Sequence, residues 1–333
     1  MILVTGSTGI VGTRLLFDLI KSGVQVRALK RKDSDTAFVK RVFQFYDSQN
    51  GEAFFSKIEW FDGDITDIAS LEQAFIGVTH CYHSAGLVSY DPRDTEKLHE
   101  LNTEGTENVV NAALEAGVLK ICHISSIAAL GRAKKGTFTT EKNYWNRDNN
   151  NSLYGLTKFM AEREVWRGTA EGLPAIIVNP SIILGPSKPH QSSGMLMSLL
   201  RKGVAFYPKG IAGYVDVRDV SKACISLMNS PIENKRYIIN AENLNYKTLL
   251  DTAAGIFGNS KPKTRLHPWM LSLAWIGARG WAVITGRKPK ITRETARSVS
   301  RENTFSNSKI VEAIPINFVP VGEALLYYRS FFD

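Results

Sequence analysis

The sequence predicts an α/β chain: a doubly wound, mostly parallel sheet with a smaller, mainly helical, interleaved second domain. Three observations predict it. Met1-Ile2-Leu3-Val4 passes directly into Thr5-Gly6-Ser7-Thr8-Gly9-Ile10-Val11-Gly12, which reads as a short strand, a glycine turn and a helix start. Short apolar runs then alternate with helical patterns, as parallel strands joined by helical crossovers do. After Asn179 the alternation becomes irregular and returns only in pieces. At 333 residues and 44% hydrophobic content, the chain can form one large or two moderate domains with a real core.

The helix after the glycine turn shows apolar residues at Val11, Leu15, Leu16, Leu19 and Ile20, which fits one buried face. It stops at Gly23, and a second strand, Val24 to Leu29, begins at once. In such a unit Gly6 permits the tight turn, Gly9 lets the backbone approach a pyrophosphate, and Gly12 lets helix and strand pack closely. The anion would sit on the helix N-terminus. Further strands are expected at Lys57 to Phe61, Thr79 to Ser84, Lys120 to Ser125 and Ala175 to Asn179, with the ligand crevice at their carboxyl ends. Polar loops are expected at Asp47 to Glu52 and Arg147 to Ser152. The chain is expected to return to the sheet around Tyr214 to Val220 and Arg236 to Asn240. Residues 1–178, with the return segment 214–240, form the expected dinucleotide-binding domain, and 179–213 with 241–333 the substrate domain.

Tyr154 and Lys158 stand four apart at the start of a helical pattern, so one turn places phenol and ammonium on the same face. Bringing a tyrosine from a pKa of about 10 to near 7 takes about 4 kcal/mol. One ammonium about 4 Å away supplies that order of energy at an effective dielectric of about 20. The pair suits general acid-base work on a carbonyl or alcohol oxygen. At the end of the second strand, where an acid that bonds ribose hydroxyls is usual, stands Lys30, followed by Arg31 and Lys32. That basic run favours a 2′-phosphate, hence NADP(H) with NAD(H) as the alternative.

With both motifs in place the chain resembles the extended short-chain dehydrogenase/reductase family, whose fold is a Rossmann sheet and whose glycine signature has the spacing of Gly6, Gly9 and Gly12. Gly63-Asp64-Ile65-Thr66-Asp67 resembles its adenine-contacting segment and His83-Ser84-Ala85-Gly86 its His-x-Ala-Ala strand end. Asn102-Thr103-Glu104-Gly105-Thr106 resembles its Asn-x-x-Gly-Thr helix start. Asn179-Pro180-Ser181 with Gly185-Pro186 resembles the loop after its sixth strand. Gly86 stands where alanine is usual and Thr79 where aspartate often is; neither is expected to touch the chemistry. The resemblance implies cofactor contacts from Gly6, Thr8, Gly9, Ile10, Val11, Asp64, Ile65, Ser84, Ala85, Gly86, Asn102, Tyr154, Lys158 and Pro180, to which charge adds Lys30 and Arg31.

The implied catalytic hydroxyl is Ser126, placed by aligning Gly131 with the glycine that closes the family's Ser-Ser-x-x-x-x-Gly segment. Ser125 is left to contact nicotinamide or to cap the next helix. In the implied mechanism Tyr154 gives its proton to the substrate oxygen, Ser126 donates a hydrogen bond to it, and Lys158 lowers the tyrosine pKa and holds the ribose hydroxyls. Ile127-Ala128 after the serine disfavours the sugar dehydratases, which carry Asp-Glu there. Ile211 to Asp219 and Thr285 to Thr292 look like the dihydroflavonol reductase and 3β-hydroxysteroid dehydrogenase branch. That branch implies medium-sized, largely apolar ketones or alcohols. The alternatives are a nucleotide-sugar epimerase-like enzyme and a non-catalytic dinucleotide-binding redox sensor.

Charge and cysteines bound the rest. The net charge of +9 is uneven: residues 1–200 carry 21 basic and 22 acidic side chains, residues 201–333 carry 20 and 10. The basic residues between Arg279 and Arg301 follow the apolar stretch Trp269 to Ala278, which is far short of the roughly 20 residues that span a bilayer. A lid or dimer contact is expected there rather than peripheral membrane contact, and no nucleic-acid motif accompanies the charge. The six histidines show no metal-ligand spacing, so no metal is expected. Cys81, Cys122 and Cys224, odd in number and widely spaced, favour a reducing cytoplasm. If the native chain begins at Met1, no signal peptide is expected, because the first strand starts there. The family resemblance implies a homodimer through helices at Asn102 to Ala116 and Tyr154 to Arg167.

Overall fold

Successive residues of a strand point to opposite faces of its sheet, and the buried strands of this chain use both faces. In a computed structural model, which describes residues 1–134, 136–146, 151–189, 192–267, 270 and 298–332, Leu3 packs into one apolar layer and Val4 into the other. Cys81 and Tyr82, Ile121 and Cys122, and Ile177 and Ile176 divide in the same way. Parallel strands covered on both sides read as continuous apolar runs for this reason.

Seven strands form the main sheet: β1 (Ile2–Thr5), β2 (Val26–Lys30), β3 (Glu59–Asp62), β4 (His80–His83), β5 (Lys120–Ile124), β6 (Ala175–Pro180) and the late β10 (Lys235–Ile239). Their order is β10-β6-β5-β4-β1-β2-β3, every neighbouring pair parallel. The chain winds outward from β1 to β3 and then crosses to β4 on the other side of β1. That reversal opens a crevice beyond the carboxyl ends of β1 and β4.

One face is covered by α1 (Ile10–Lys21), α2 (Thr36–Tyr46) and α3 (Gly51–Phe55), the other by α4 (Ile68–Phe75), α6 (Gly105–Glu115) and α7 (Leu153–Ala170). The short α5 (Thr95–His99) leads into α6 through a π-helical turn, Glu100–Glu104. The expected loop at Asp47 to Glu52 is shorter than its composition suggested, because Gly51 already begins α3.

The return to the sheet occurs at β10 but not around Tyr214 to Val220. There β9 (Ile211–Asp216) joins a separate three-stranded sheet, parallel to β7 (Ile182–Leu184) and antiparallel to β11 (Glu242–Asn245). The place beside β6 in the main sheet is taken by β10, and β9 stops at Asp216, whose carboxylate accepts the Arg218 amide at 2.7 Å and caps α9 (Val217–Met228). Beyond that cap Val217, Val220, Ala223 and Leu227 are buried at helical, not strand, spacing. The remainder comprises α8 (Ser192–Lys202), α10 (Tyr246–Phe257), α11 (Ser308–Ala313), α12 (Val321–Phe332) and a two-residue pairing of β8 (Phe206–Tyr207) with β12 (Thr264–Arg265). Its apolar residues are continuous with the α1 face of the main core. Most of the apolar and basic stretch between Trp269 and Arg301, and residues 147–150 of the loop before α7, lie outside the described residues. Among those described, no helix is long and apolar enough to cross a membrane.

Candidate active site

The first part of the site is made by backbone. Gly6 has φ +64, and a Cβ there would lie 2.5 Å from the Ala85 nitrogen, so β1 can turn only where a side chain is missing. A Cβ on Gly12 would overlap the Gly6 carbonyl oxygen. Gly9 is the N-cap of α1 and no side chain caps the helix, which leaves first-turn amides to face the crevice. Ser7 ties the turn to β2 by donating to the Leu29 carbonyl at 2.6 Å. Thr8, Ile10 and Val11 follow in this turn and the start of α1, so a dinucleotide phosphate fits the place in both shape and charge.

At the end of β2 Lys30 and Arg31 differ. Lys30 is paired with Asp62 on the neighbouring β3, whereas Arg31 is 55% exposed, with Nε 3.7 Å from Asp33. Just past β3 the Asp64 carboxylate accepts the Thr66 amide and hydroxyl, both at 3.1 Å, and the Ile65 carbonyl accepts Asn108 at 3.0 Å.

Beyond β4, the Ser84 hydroxyl donates to the Thr5 carbonyl at 2.7 Å, and Ala85 lies against Gly6. Asn102 sits inside the π-helical turn, a form frequent at functional sites. Its amide accepts from the Leu87 nitrogen at 2.7 Å and donates to the Leu87 carbonyl and the Thr157 hydroxyl, each at 3.0 Å. A Cβ on Gly86 would lie 3.0 Å from the Asn102 side-chain oxygen and 4.0 Å from Lys158 Nζ. Gly86, where alanine is usual, thus lies between Asn102 and Lys158.

The catalytic candidates converge from β5 and α7. Ser152 caps α7, accepting the Gly155 amide at 2.8 Å, and so sets Tyr154 in the first turn with Lys158 one turn on. Tyr154 is buried and its phenol is hydrogen-bonded to Ser126. Ser126 also caps a short helical turn at the Ala128 amide, 3.1 Å away. Burial raises the Tyr154 pKa and the Ser126 bond pulls it back, so the expected lowering by Lys158 is not the direction of this arrangement. The Lys158 ammonium donates to the Ile124 carbonyl at 3.0 Å and lies 3.3 Å from His123 Nε2. Burial lowers its pKa to about 8. Ser125 turns away, donating to Glu162 at 2.6 Å, and Pro180 ends β6 beside Ile239. The ring of Tyr90 meets that of Tyr154 edge-on at 5.9 Å.

Below these groups two histidines stack at 5.0 Å, His83 on β4 and His123 on β5. Burial lowers both pKa values, that of His83 to about 3. Thr106 donates to the Asn102 carbonyl at 2.6 Å, so it accepts from His83 Nε2 at 3.0 Å. His83 Nδ1 then accepts from Thr5 at 2.7 Å, and the ring is a neutral tie between β1, β4 and α6.

The sequence profile of the NAD dependent epimerase/dehydratase family matches residues 2–241. The chain belongs to this family. A Synechocystis sp. protein named, provisionally, dihydroflavonol 4-reductase is 28% identical over 329 residues, 97% of this chain and 91% of that protein. Sterol demethylase protein B of Methylococcus capsulatus is 28% identical over 273 residues, 81% of this chain and 78% of that protein. Among solved structures, that of gox2253 superposes with a TM-score of 0.80 at 29% identity, covering 99% of this chain and 98% of the other. Membership in the epimerase/dehydratase family, with reductase-named relatives, makes the protein an NAD(P)-dependent oxidoreductase of the extended short-chain type.

Within this family member, sequence reasoning missed Asp62, Glu162, Arg236 and His123. Asp62 was within reach: Lys30 and Asp62, like Arg27 and Glu59, are opposite charges at matching places on adjacent strands, and both pairs are in register. Arg236 bonds the Glu162 carboxylate at 3.3 Å across 74 residues, which no local spacing signals. Among the described residues no group of three or more His, Cys, Asp or Glu is placed to hold a metal ion.

Proposed function

We propose that the protein transfers hydride between NADP(H) and a medium-sized, largely apolar ketone or alcohol, with Tyr154 as proton donor to the substrate oxygen. The observation that carries this reading is the Tyr154 phenol, buried in the first turn of α7 beside Ser126, with burial holding its pKa up. When bound, the reduced nicotinamide supplies the hydride. Ser126 donates a hydrogen bond to the same oxygen, which steadies developing negative charge, and Tyr154 delivers the proton that completes the alcohol. Lys158, one helical turn beyond the tyrosine, keeps its positive charge below about pH 8 and holds ribose hydroxyls.

Arg31 supports the phosphate-bearing cofactor, because it is exposed while Lys30 is already engaged by Asp62. An apolar substrate agrees with the Tyr90 ring against Tyr154 and with the names of the two relatives, one provisionally a dihydroflavonol 4-reductase and the other sterol demethylase protein B. In this reading the cofactor is held by residues 1–178 with α9 and β10 of the segment 214–240, and the substrate by 179–213 with 241–333, together with β9, which pairs with β7 and β11. A homodimer through α6 and α7 and a cytoplasmic site complete the reading; all three cysteines are free and buried, as a reducing compartment allows.

The test is NADPH fluorescence with a panel of aldehydes, ketones and alcohols, run beside UDP-glucose. Stoichiometric oxidation of NADPH by an apolar ketone or aldehyde is the expected result. Interconversion of the sugar nucleotide without net NADPH oxidation would make it an epimerase, and equally slow oxidation of NADPH with every ketone and aldehyde a sensor.

A further inference from the structure

Beneath the Ser126 turn lies a carboxylate that the proposed reaction does not use. Glu162, one turn beyond Lys158 on α7, is 1% exposed. A charge so buried persists only when paired and fully hydrogen-bonded. Its Oε1 accepts the Ser125 hydroxyl and the Asn179 amide, each at 2.6 Å, and its Oε2 faces Arg236 at 3.3 Å. The same Asn179 nitrogen donates to the Ser126 carbonyl at 2.9 Å. Arg236 reaches on through Nε to the Glu141 carbonyl at 3.0 Å, in the segment ahead of α7. One carboxylate therefore joins the ends of β5 and β6 to β10 and to the helix that carries Tyr154 and Lys158.

We propose that Glu162 is a positioning residue: through Ser125 and Asn179 it locks the end of β5 and so fixes Ser126 against Tyr154. This rests on the reading of Ser126 and Tyr154 as the reacting pair, but its geometry can be measured without turnover. The groups facing the Tyr154 phenol are Ser126 from the end of β5 and Tyr90 from the loop after β4; Lys158 and Glu162 stand one and two turns farther along its own helix. The Ser126 bond lowers the Tyr154 pKa. If Ser126 is released, that pKa rises. Removing the negative charge of Glu162 would by itself move it the other way, because a phenolate gains from the loss of a nearby anion. The sign separates positioning from charge alone.

The experiment compares the full-length parent, Glu162→Gln and Ser125→Ala. Tyrosine 13Cζ NMR follows the Tyr154 titration, with the resonance assigned by its loss in Tyr154→Phe. Reduction of the best panel ketone by NADPH gives kcat and KM. Both variants are expected to titrate Tyr154 at higher pH than the parent. Both should lose kcat, by up to about 100-fold for a displacement on the order of 1 Å, with NADPH affinity unchanged. Ser125→Ala removes no charge and serves alone if Glu162→Gln does not fold. A Tyr154 titration that stays or moves down in folded variants overturns the proposal, whatever happens to kcat. Failure of the parent to reduce any carbonyl overturns the proposed function instead, and leaves the titration to decide this one.

Discussion

The two halves of the crevice are built from different materials. On the β1 to β3 side the site is backbone: a left-handed glycine, a helix start without a side-chain cap, and a surface arginine. On the β4 to β6 side it is mostly buried side chain: Ser125, Asn179 and Glu162 hold one another, Asn179 holds the Ser126 carbonyl, Ser126 meets Tyr154, and Lys158 is tied to the Ile124 carbonyl. A backbone site tolerates no added atoms but asks little of its neighbours. A side-chain site needs partners from several elements, each satisfied. Substitutions should therefore act on affinity and steric fit in the first half and on turnover and ionisation in the second.

The largest effect on the backbone half should come from Gly12→Ala, since the new methyl meets the fixed Gly6 carbonyl rather than a movable side chain. Overpacking of this kind typically costs about 1–3 kcal/mol. Urea unfolding should show that loss and fluorescence titration a loss of NADPH binding; normal binding would mean that the turn yields. Next is Arg31→Ala, which should weaken NADPH by about 10- to 100-fold, the worth of one charge-assisted phosphate contact. NADH should change little. Equal weakening of both cofactors would leave Arg31 a solvated residue. The smallest effect sharpens the other half. Burial holds Lys158 at about 8 in the folded protein, against 10.5 ordinarily. The folded state thus releases its proton first, and between those values the unfolded chain binds more protons, so stability rises with pH. Measured by urea unfolding from pH 7 to 10, the parent should gain stability relative to Lys158→Met above about pH 8. A flat or falling difference would contradict a buried ammonium.

The same contrast explains what was legible in the sequence. The glycine turn, the strands and the Tyr154–Lys158 spacing are local patterns fixed by backbone geometry, and the family profile and sheet order agree with them. Tyr214 to Val220 misled because its valines suit a strand, whereas the cap at Asp216 ends the strand and starts a helix within one residue. The Tyr154 pKa was expected in the wrong direction because a Coulomb estimate between two residues on one helix omits burial, which depends on everything packed around them. The π-helical turn at Asn102 and the Glu162–Arg236 pair arise only when distant segments meet.

The account turns on Tyr154 as the proton donor in the side-chain half, acting on a cofactor held by the backbone half. The direct measurement is NADPH-dependent reduction of the best panel ketone by the parent and by Tyr154→Phe, with NADPH affinity determined on the same samples. Turnover should fall by about 10²- to 10⁴-fold, the usual worth of a positioned proton donor, while cofactor affinity stays at the parent value. Full turnover in Tyr154→Phe with normal NADPH binding would contradict the assignment.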